Sequence, residues 1–389
     1  MLTVKKFNKI SDIIYTQMPW DKYNFVEEGE NYDAVLVRSA DLNDTAFPAE
    51  LLAIARAGAG VNNIPVDRCA QQGIVVFNTP GANANAVKEL VLCGMMLACR
   101  RIIPGAQWVQ QQHEQQVPDV GKRMEKVKNN FVGQEIAGKK LGVIGLGAIG
   151  IMVANAAIAL EMDVYGYDPY LSVDSALRLS RGVHLVKDPQ EIYKNCDFIT
   201  LHLPQTAQTK GMINNDTLGL MKDGAVLLNF ARGGLVEDEA LLTALESGKL
   251  GRYVTDFPDD RIIANENVIA LPHLGASTPE AEENCARMAA AQLEEYIVNG
   301  NIVNSVNFPN CQIPRGNGWR LAIINRNVTN MVGQITAILA AEGHNIEHML
   351  NRSRGDWAYT LIDVEAEPSA DCVKALSAID GVVRVRVIG

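Results

Sequence analysis

Lys139-Lys140-Leu141-Gly142-Val143-Ile144-Gly145-Leu146-Gly147-Ala148-Ile149-Gly150 begins as an apolar run, passes three glycines spaced Gly-x-Gly-x-x-Gly, and enters a helix-compatible stretch, Ile151 to Leu160. A strand delivered into such a turn aims free backbone N–H groups and the positive end of a helix at one point, where a pyrophosphate fits. Gly145 permits the tight turn, Gly147 lets phosphates approach the backbone, and Gly150 lets helix and sheet pack closely. Eighteen residues past Gly150, Asp168 ends the run Val164-Tyr165-Gly166-Tyr167-Asp168. A carboxylate there accepts both ribose hydroxyls and repels a 2′-phosphate, and no arginine follows it, so the pattern predicts NAD rather than NADP.

Strands and helices alternate on both sides of this stretch. Downstream, Phe198–Leu201, Ala225–Asn229, Tyr253–Asp256 and Val268–Leu271 are short apolar runs between helical segments, which is the doubly wound pattern that places ligand chemistry at strand carboxyl ends. Upstream, Ala34–Val37, Leu51–Ala55 and Ile74–Phe77 predict a smaller α/β unit with parallel strands between Ile10 and about Pro80. Apolar residues at helical spacing predict one long helix leaving that unit over Ala84–Arg100 and another returning over Ala281–Val298.

Phe308 to Gly318 is rich in Pro, Gly and Asn and reads as a linker. Beyond it, Trp319–Ile324, Met331–Glu342, Asn345–Asn351, Tyr359–Val364, Ser369–Ile379 and Val382–Val387 spell β-α-β-β-α-β, the ferredoxin-like order. The expected fold is therefore α/β, with two doubly wound Rossmann-like domains and a ferredoxin-like terminal module. The expected division is a first domain over 1–84 completed by 277–305, a nucleotide domain over 85–276, a linker over 306–318 and the module over 319–389. Such a short module leaves a sheet face and edges to be covered, so self-association into a homodimer or homotetramer is expected.

The composition is 48% hydrophobic and 21% charged, ordinary for a globular protein. A net charge of −10 argues against nucleic acid or an anionic membrane as the main partner. Met1–Phe7 lacks a long apolar core and no run approaches a bilayer span, so a cytoplasmic location is expected. Seven cysteines lie scattered without a C-x-x-C pair, which predicts buried thiols and no structural metal.

Gly58-Ala59-Gly60-Val61-Asn62-Asn63-Ile64, the glycine turn, Asn229-Phe230-Ala231-Arg232-Gly233-Gly234 and Pro272-His273-Leu274-Gly275-Ala276-Ser277-Thr278 together resemble the D-2-hydroxyacid dehydrogenases, with a terminal ACT module. The resemblance runs from about residue 34 to 389. It implies a split substrate domain closing over a continuous nucleotide domain, with Ala148, Ile149, Leu203, Pro204, Phe230, Asp256 and Ala276 as further cofactor contacts.

Removing hydride from a secondary alcohol needs a base for the hydroxyl proton and a cation for the carboxylate. His273, just past a strand end, can serve as the base, and the forked guanidinium of Arg232, beside two glycines, can hold the carboxylate. The resemblance assigns both the same roles. A third group, a carboxylate that holds the imidazole, has no clear counterpart in Asp256-Phe257-Pro258-Asp259-Asp260-Arg261; Asp260 is the expected one, ahead of Asp259. The resemblance also implies that Arg38 and Ser39 bind a substrate phosphate, that Gly60 and Val61 present N–H groups to the carboxylate, and that Asn83 hydrogen-bonds the substrate.

In the terminal module, Asn327 and Asn345 fall where ACT domains place two asparagines for a small amino acid, here L-serine, and Asn330 stands where a positive φ is called for. The expected substrate is D-3-phosphoglycerate, oxidised to 3-phosphohydroxypyruvate as the first step toward serine. Two alternatives stay open. One is an unphosphorylated acid such as glycerate or lactate, favoured by Leu42 standing where a second cation often occurs. The other is a non-catalytic NADH-sensing scaffold, against which His273 and Arg232 both count.

Overall fold

The structure, a computed structural model, describes residues 1–389. Its first sheet holds β1 (Leu2–Phe7), β2 (Tyr23–Val26), β3 (Ala34–Val37), β4 (Ala53–Arg56) and β5 (Val75–Phe77), all parallel, in the order β2-β1-β3-β4-β5. All four residues of β3 are buried, as a central parallel strand covered on both faces requires. The helix Pro279–Asn299 supplies part of that cover. Its Ala281, Cys285, Ala286, Ala289, Ala290 and Leu293 recur at helical spacing on the buried side, and their small size lets helix and sheet approach closely.

The second sheet holds β6 (Lys140–Ile144), β7 (Asp163–Tyr167), β8 (His184–Leu185), β9 (Phe198–Leu201), β10 (Ala225–Asn229), β11 (Leu250–Thr255) and β12 (Val268–Ala270). They are parallel in the order β12-β11-β10-β9-β6-β7-β8. Strand order reverses between β6 and β9, which is where a doubly wound sheet opens a crevice for a ligand. The helix Ala84–Cys99 packs on this sheet through Ala84, Val87, Val91, Gly94, Met95 and Ala98. Gly94 is obligatory there, because a Cβ would lie 2.8 Å from the Phe230 ring.

The third sheet is antiparallel, in the order β14-β15-β13-β16, from β13 (Trp319–Arg326), β14 (Ile346–Arg354), β15 (Trp357–Val364) and β16 (Val382–Ile388). Side chains alternate across it. Leu321, Ile323, Ile362 and Val364 meet the helices Met331–Ala341 and Ala370–Ser377. Ala322, Ile324, Tyr359, Leu361 and Ile388 instead join the core of the first sheet, beside Tyr296, Ile297 and Phe308.

The chain divides into two compact units, Met1–Asn83 with Pro279–Gly389, and Ala84–Thr278. The terminal module thus belongs to the first unit, and the sheet face expected to await a partner is covered within the chain. The stretch 306–318 is likewise no loose linker. Phe308 and Cys311 are buried, and the Asn307 side chain accepts from Val76 N at 3.0 Å and donates to Ile74 O at 2.9 Å, lengthening the hydrogen-bonded edge of β5.

Arginines hold module and sheet together. Arg320, 0% exposed, makes a two-bond pair with Asp363 (2.6 and 2.8 Å) and donates to the carbonyls of Asn299, Ile313 and Pro314. Arg384 donates to Ala49, Leu51 and Gln72 carbonyls, and Arg386 to those of Tyr296 and Ile297 while lying over the Tyr296 ring. No helix is long and apolar enough to cross a membrane.

Candidate functional site

At the end of β6, Gly145 takes φ +96°, a conformation an L side chain resists, and its N–H donates to Tyr167 O. A Cβ on Gly150 would lie 1.9 Å from Gly145 O, whereas one on Gly147 would meet nothing within 4 Å. The first of these observations is a packing demand and the second an open approach. Gly147 caps the helix Ala148–Ala159 and is exposed, while Ala148 and Ile149 are partly so, leaving that helix end reachable by an anion.

Asp168 follows β7. One oxygen accepts from Leu146 N (2.9 Å) and the other from Tyr170 N (2.8 Å), which ties the acid to the glycine turn. An ionised carboxylate has about four acceptor positions, so room remains for two ribose hydroxyls. Leu203 and Pro204 follow β9 beside His202, whose Nε2 shares a 3.0 Å hydrogen bond with Thr200 Oγ1. Burial pushes the His202 pKa down to about 3, and its Nδ1 is sealed from solvent with no protein partner. Its carbonyl oxygen would lie 2.4 Å from a Cβ on Gly145, so the histidine backs the glycine turn.

Arg232 sits in a turn built by Asn229, which is fully buried. The Asn229 Oδ1 accepts from Ala231 N and Arg232 N, and its Nδ2 donates to Arg232 O and Tyr253 Oη. The Arg232 side chain emerges into solvent and donates to Ala231 O, with no carboxylate paired to it. Phe230, just before it, is buried against Gly94.

Asp256, 1% exposed, lies past the end of β11. Its Oδ2 accepts from Gly275 N at 3.1 Å, and its Oδ1 is buried with no partner. Burial raises its pKa above the ordinary value, against the opposing pull of the Gly275 N–H, the His273 ring and the Arg232 guanidinium. Phe257, next to Asp256, packs on the His273 ring and lies beside Gly233, so these groups share one locality, with Ala276 half-buried there. The His273 ring is exposed and packs on Phe257, centroids 4.7 Å apart.

Asp260 is not brought to that imidazole: it is exposed and makes no hydrogen bond to His273. Asp259 is committed to Arg261, accepting from its N–H and its side chain, and Arg261 also pairs with Asp238. That turn carries both acids outward. The buried carboxylate of this locality is Asp256, on which the His273 ring is one of the groups that act.

The first unit holds its candidates at the strand ends of β3 and β4. Asn8, at φ +77°, accepts from the N–H groups of Ser39 and Ala40 and so fixes the turn after β3. Arg38 is paired with Glu282 of the helix Pro279–Asn299 at 2.6 Å. The loop after β4 is drawn in by Arg56, which donates to Gly60 O and Arg38 O, while Asn78 holds Ala59 O and Asn63 holds Ala40 O. The N–H groups of Gly60 and Val61 have no acceptor within the protein, and half-buried Asn83 closes the segment.

In the module, Asn327 donates to Gly355 O through its side chain and to Asp356 O through its N–H. Asn345 is exposed immediately before β14. β13 ends opposite Trp357 and β14 begins opposite Val364, so the two asparagines occupy opposite ends of one sheet and cannot meet on one ligand within a single chain. Asn330 adopts φ +66°, the left-handed conformation that its loop position called for.

Asn8, Asn229, Arg56 and Glu282 were not read from the sequence in these roles. Only Asn229, inside the Asn-x-Ala-Arg-Gly-Gly stretch, carried a local signal. The open glycine turn, the acid beside it and the orphaned Asp256 acceptor fit NAD.

Residues 92–275 match the family model described as D-isomer specific 2-hydroxyacid dehydrogenase, NAD binding domain. A D-3-phosphoglycerate dehydrogenase of Methanocaldococcus jannaschii is 39% identical over 298 residues, 74% of this chain and 54% of that protein, so the chain spans about half of that relative's length. One of Haemophilus influenzae is 33% identical over 351 residues, 87% of this chain and 82% of the relative. The NAD⁺-bound 3-phosphoglycerate dehydrogenase of Entamoeba histolytica superposes with a TM-score of 0.62 at 26% identity, covering 79% of this chain and 98% of that one. The chain belongs to the D-isomer specific 2-hydroxyacid dehydrogenase family.

Proposed function

We propose that this protein oxidises D-3-phosphoglycerate to 3-phosphohydroxypyruvate with NAD, and that the first and second units carry its substrate and nucleotide sites. The observation that carries the reading is the grouping of Arg232, His273 and the buried Asp256, one group for each requirement of the reaction. The relatives' names supply the substrate class.

When bound, NAD accepts the hydride. His273 takes the hydroxyl proton on a ring nitrogen as the alcohol becomes a ketone, and the Asp256 carboxylate steadies the charged imidazole through space. Asp256, whose buried Oδ1 has no partner in the protein, would hold the nicotinamide carboxamide. Arg232 binds the substrate carboxylate in two bonds and draws electron density from the forming carbonyl. The first unit by itself offers Arg38 with Ser39 for the substrate's phosphate, and the Gly60 and Val61 N–H groups with Asn83 as further hydrogen-bonding groups for the substrate.

The terminal module is assigned the role of an ACT domain that binds L-serine. Because Asn327 and Asn345 lie at opposite ends of its sheet, the ligand would bridge Asn327 of one copy and Asn345 of another, which makes a homodimer the smallest serine-responsive form. The exposed outer strand β14, and Ile102, Val109, Met124 and Val132 on the solvent side of 102–132, support pairing of copies.

The test is NAD reduction followed at 340 nm with D-3-phosphoglycerate, D-glycerate and D-lactate, each with and without L-serine. The expected result is turnover of the phosphorylated acid, suppressed by serine in wild type and not in Asn327→Ala. Turnover of glycerate or lactate alone would overturn the substrate assignment, and no turnover despite NADH binding would favour the scaffold reading.

A further inference from the structure

Arg38 does not wait free for an anion. Its Nη2 lies 2.6 Å from Glu282 Oε1, in the first turn of the helix Pro279–Asn299, and the two side chains are 41% and 43% exposed. The backbone around Arg38 is anchored. Asn8 clamps the backbone after Arg38, Arg56 Nε donates to Arg38 O, and the carboxylate sits where the helix dipole favours a negative charge. The charges of Arg38, Arg56 and Glu282 all reach the buried thiol of Cys285, so two cations and one anion share this corner of the first unit.

We propose that Glu282 is a specificity-determining residue that competes with the substrate's phosphate for Arg38, raising the KM for phosphorylated acids while leaving unphosphorylated ones untouched. This rests on the reading that Arg38 receives the phosphate. A phosphate dianion has two ways to enter. It can displace the carboxylate from the guanidinium, or it can bind beside it and meet a like charge. Half-exposed ion pairs are weak enough to be displaced, and phosphate makes the stronger charge-assisted bonds, so Glu282 acts as a competitor rather than a lock. Leu42, fully buried, adds no cation to offset it. An acid with a hydroxyl in place of the phosphate leaves the pair intact.

The experiment compares wild type, Glu282→Gln and Glu282→Gln in an Arg38→Ala background, all as the full chain. Steady-state kinetics are run with D-3-phosphoglycerate and D-glycerate, and binding of inorganic phosphate is measured by calorimetry, which needs no turnover. Glu282→Gln is expected to lower KM for D-3-phosphoglycerate about three- to fivefold and to tighten inorganic phosphate binding about as much. The change falls on KM rather than kcat, spares D-glycerate, and disappears when Arg38 is Ala. Equal shifts for both acids, a shift that survives Arg38→Ala, or unchanged phosphate affinity would overturn the proposal. Should D-3-phosphoglycerate not be turned over while Glu282→Gln still tightens phosphate, the activity assignment falls and the role of Glu282 stands.

Discussion

Replacing Arg320 by Met should cost the first unit about 3–5 kcal/mol. The side chain is 0% exposed and Asp363 is nearly as buried, so the substitution strands a carboxylate where water cannot solvate it. It also strips donors from the carbonyls of Asn299 and Pro314, each at 2.8 Å, which pushes the cost toward the upper end. Urea unfolding followed by tryptophan fluorescence reads this well, because Trp20, Trp319 and Trp357 lie in the first unit and only Trp108 in the second. With a slope of about 2 kcal/mol per M, the midpoint should fall by about 2 M. The paired substitution Arg320→Met with Asp363→Leu should recover most of the loss, since two apolar groups leave no stranded charge. NAD affinity, set in the other unit, should stay within about twofold of wild type by the same locality argument. A single-substitution cost under about 1 kcal/mol, or a double variant no better than the single one, would refute the account of this pair.

His273→Asn should reduce kcat by about 10²–10⁴ with NADH affinity kept, measured by fluorescence titration; near-wild-type turnover would remove His273 as the base. Asp168→Asn, which keeps an acceptor for the turn but loses the charge, should weaken NAD about tenfold and admit NADP, checked by parallel Kd measurements with both cofactors. Asp256 has a pKa raised by burial, so its folded form binds a proton more readily than its unfolded form. Its stabilising contribution is complete below the ordinary carboxylate pKa and is lost as pH rises through the folded value. Asp256→Asn should therefore make the melting temperature of the cofactor-free protein less sensitive to rising pH above about 4, and an unchanged slope would count against that burial cost.

What the sequence made legible were features whose cause is local. The Gly145 turn needs a positive φ, Gly150 needs the absence of a Cβ, and an acid on the next strand needs only to end it; each demand leaves a mark at fixed spacing. The β-α-β-β-α-β order of the module was readable because its strands and helices differ in period. Features that depend on distant pairing were not. Glu282 finds Arg38 across 244 residues, and Asn307 finds Val76 across 231, so a stretch with a linker's composition becomes part of a sheet edge. The order of the acids after Asp256 could not reveal that Asp259 and Asp260 face outward, because the pairing of Asp259 with Arg261 decides it. β1, β2 and the helices Ile102–Glu114 and Val120–Val127 were also missed; the last buries none of its residues, leaving little apolar pattern to find.

The split of the first unit across the chain has a consequence for biosynthesis. Its central core draws on Val4, Leu36 and Phe77 from one end and on Ala289, Tyr296, Phe308, Tyr359 and Ile388 from the other. On the ribosome the first five strands emerge early and then wait while all of Ala84–Thr278 is made, on the order of 10–40 s at about 5–20 residues per second. The inserted unit can close its own core in that interval. One face of the N-terminal sheet can close over its own residues, but the other stays uncovered until the helix Pro279–Asn299 is made, which makes a nascent chain stalled before that helix a natural client for chaperones.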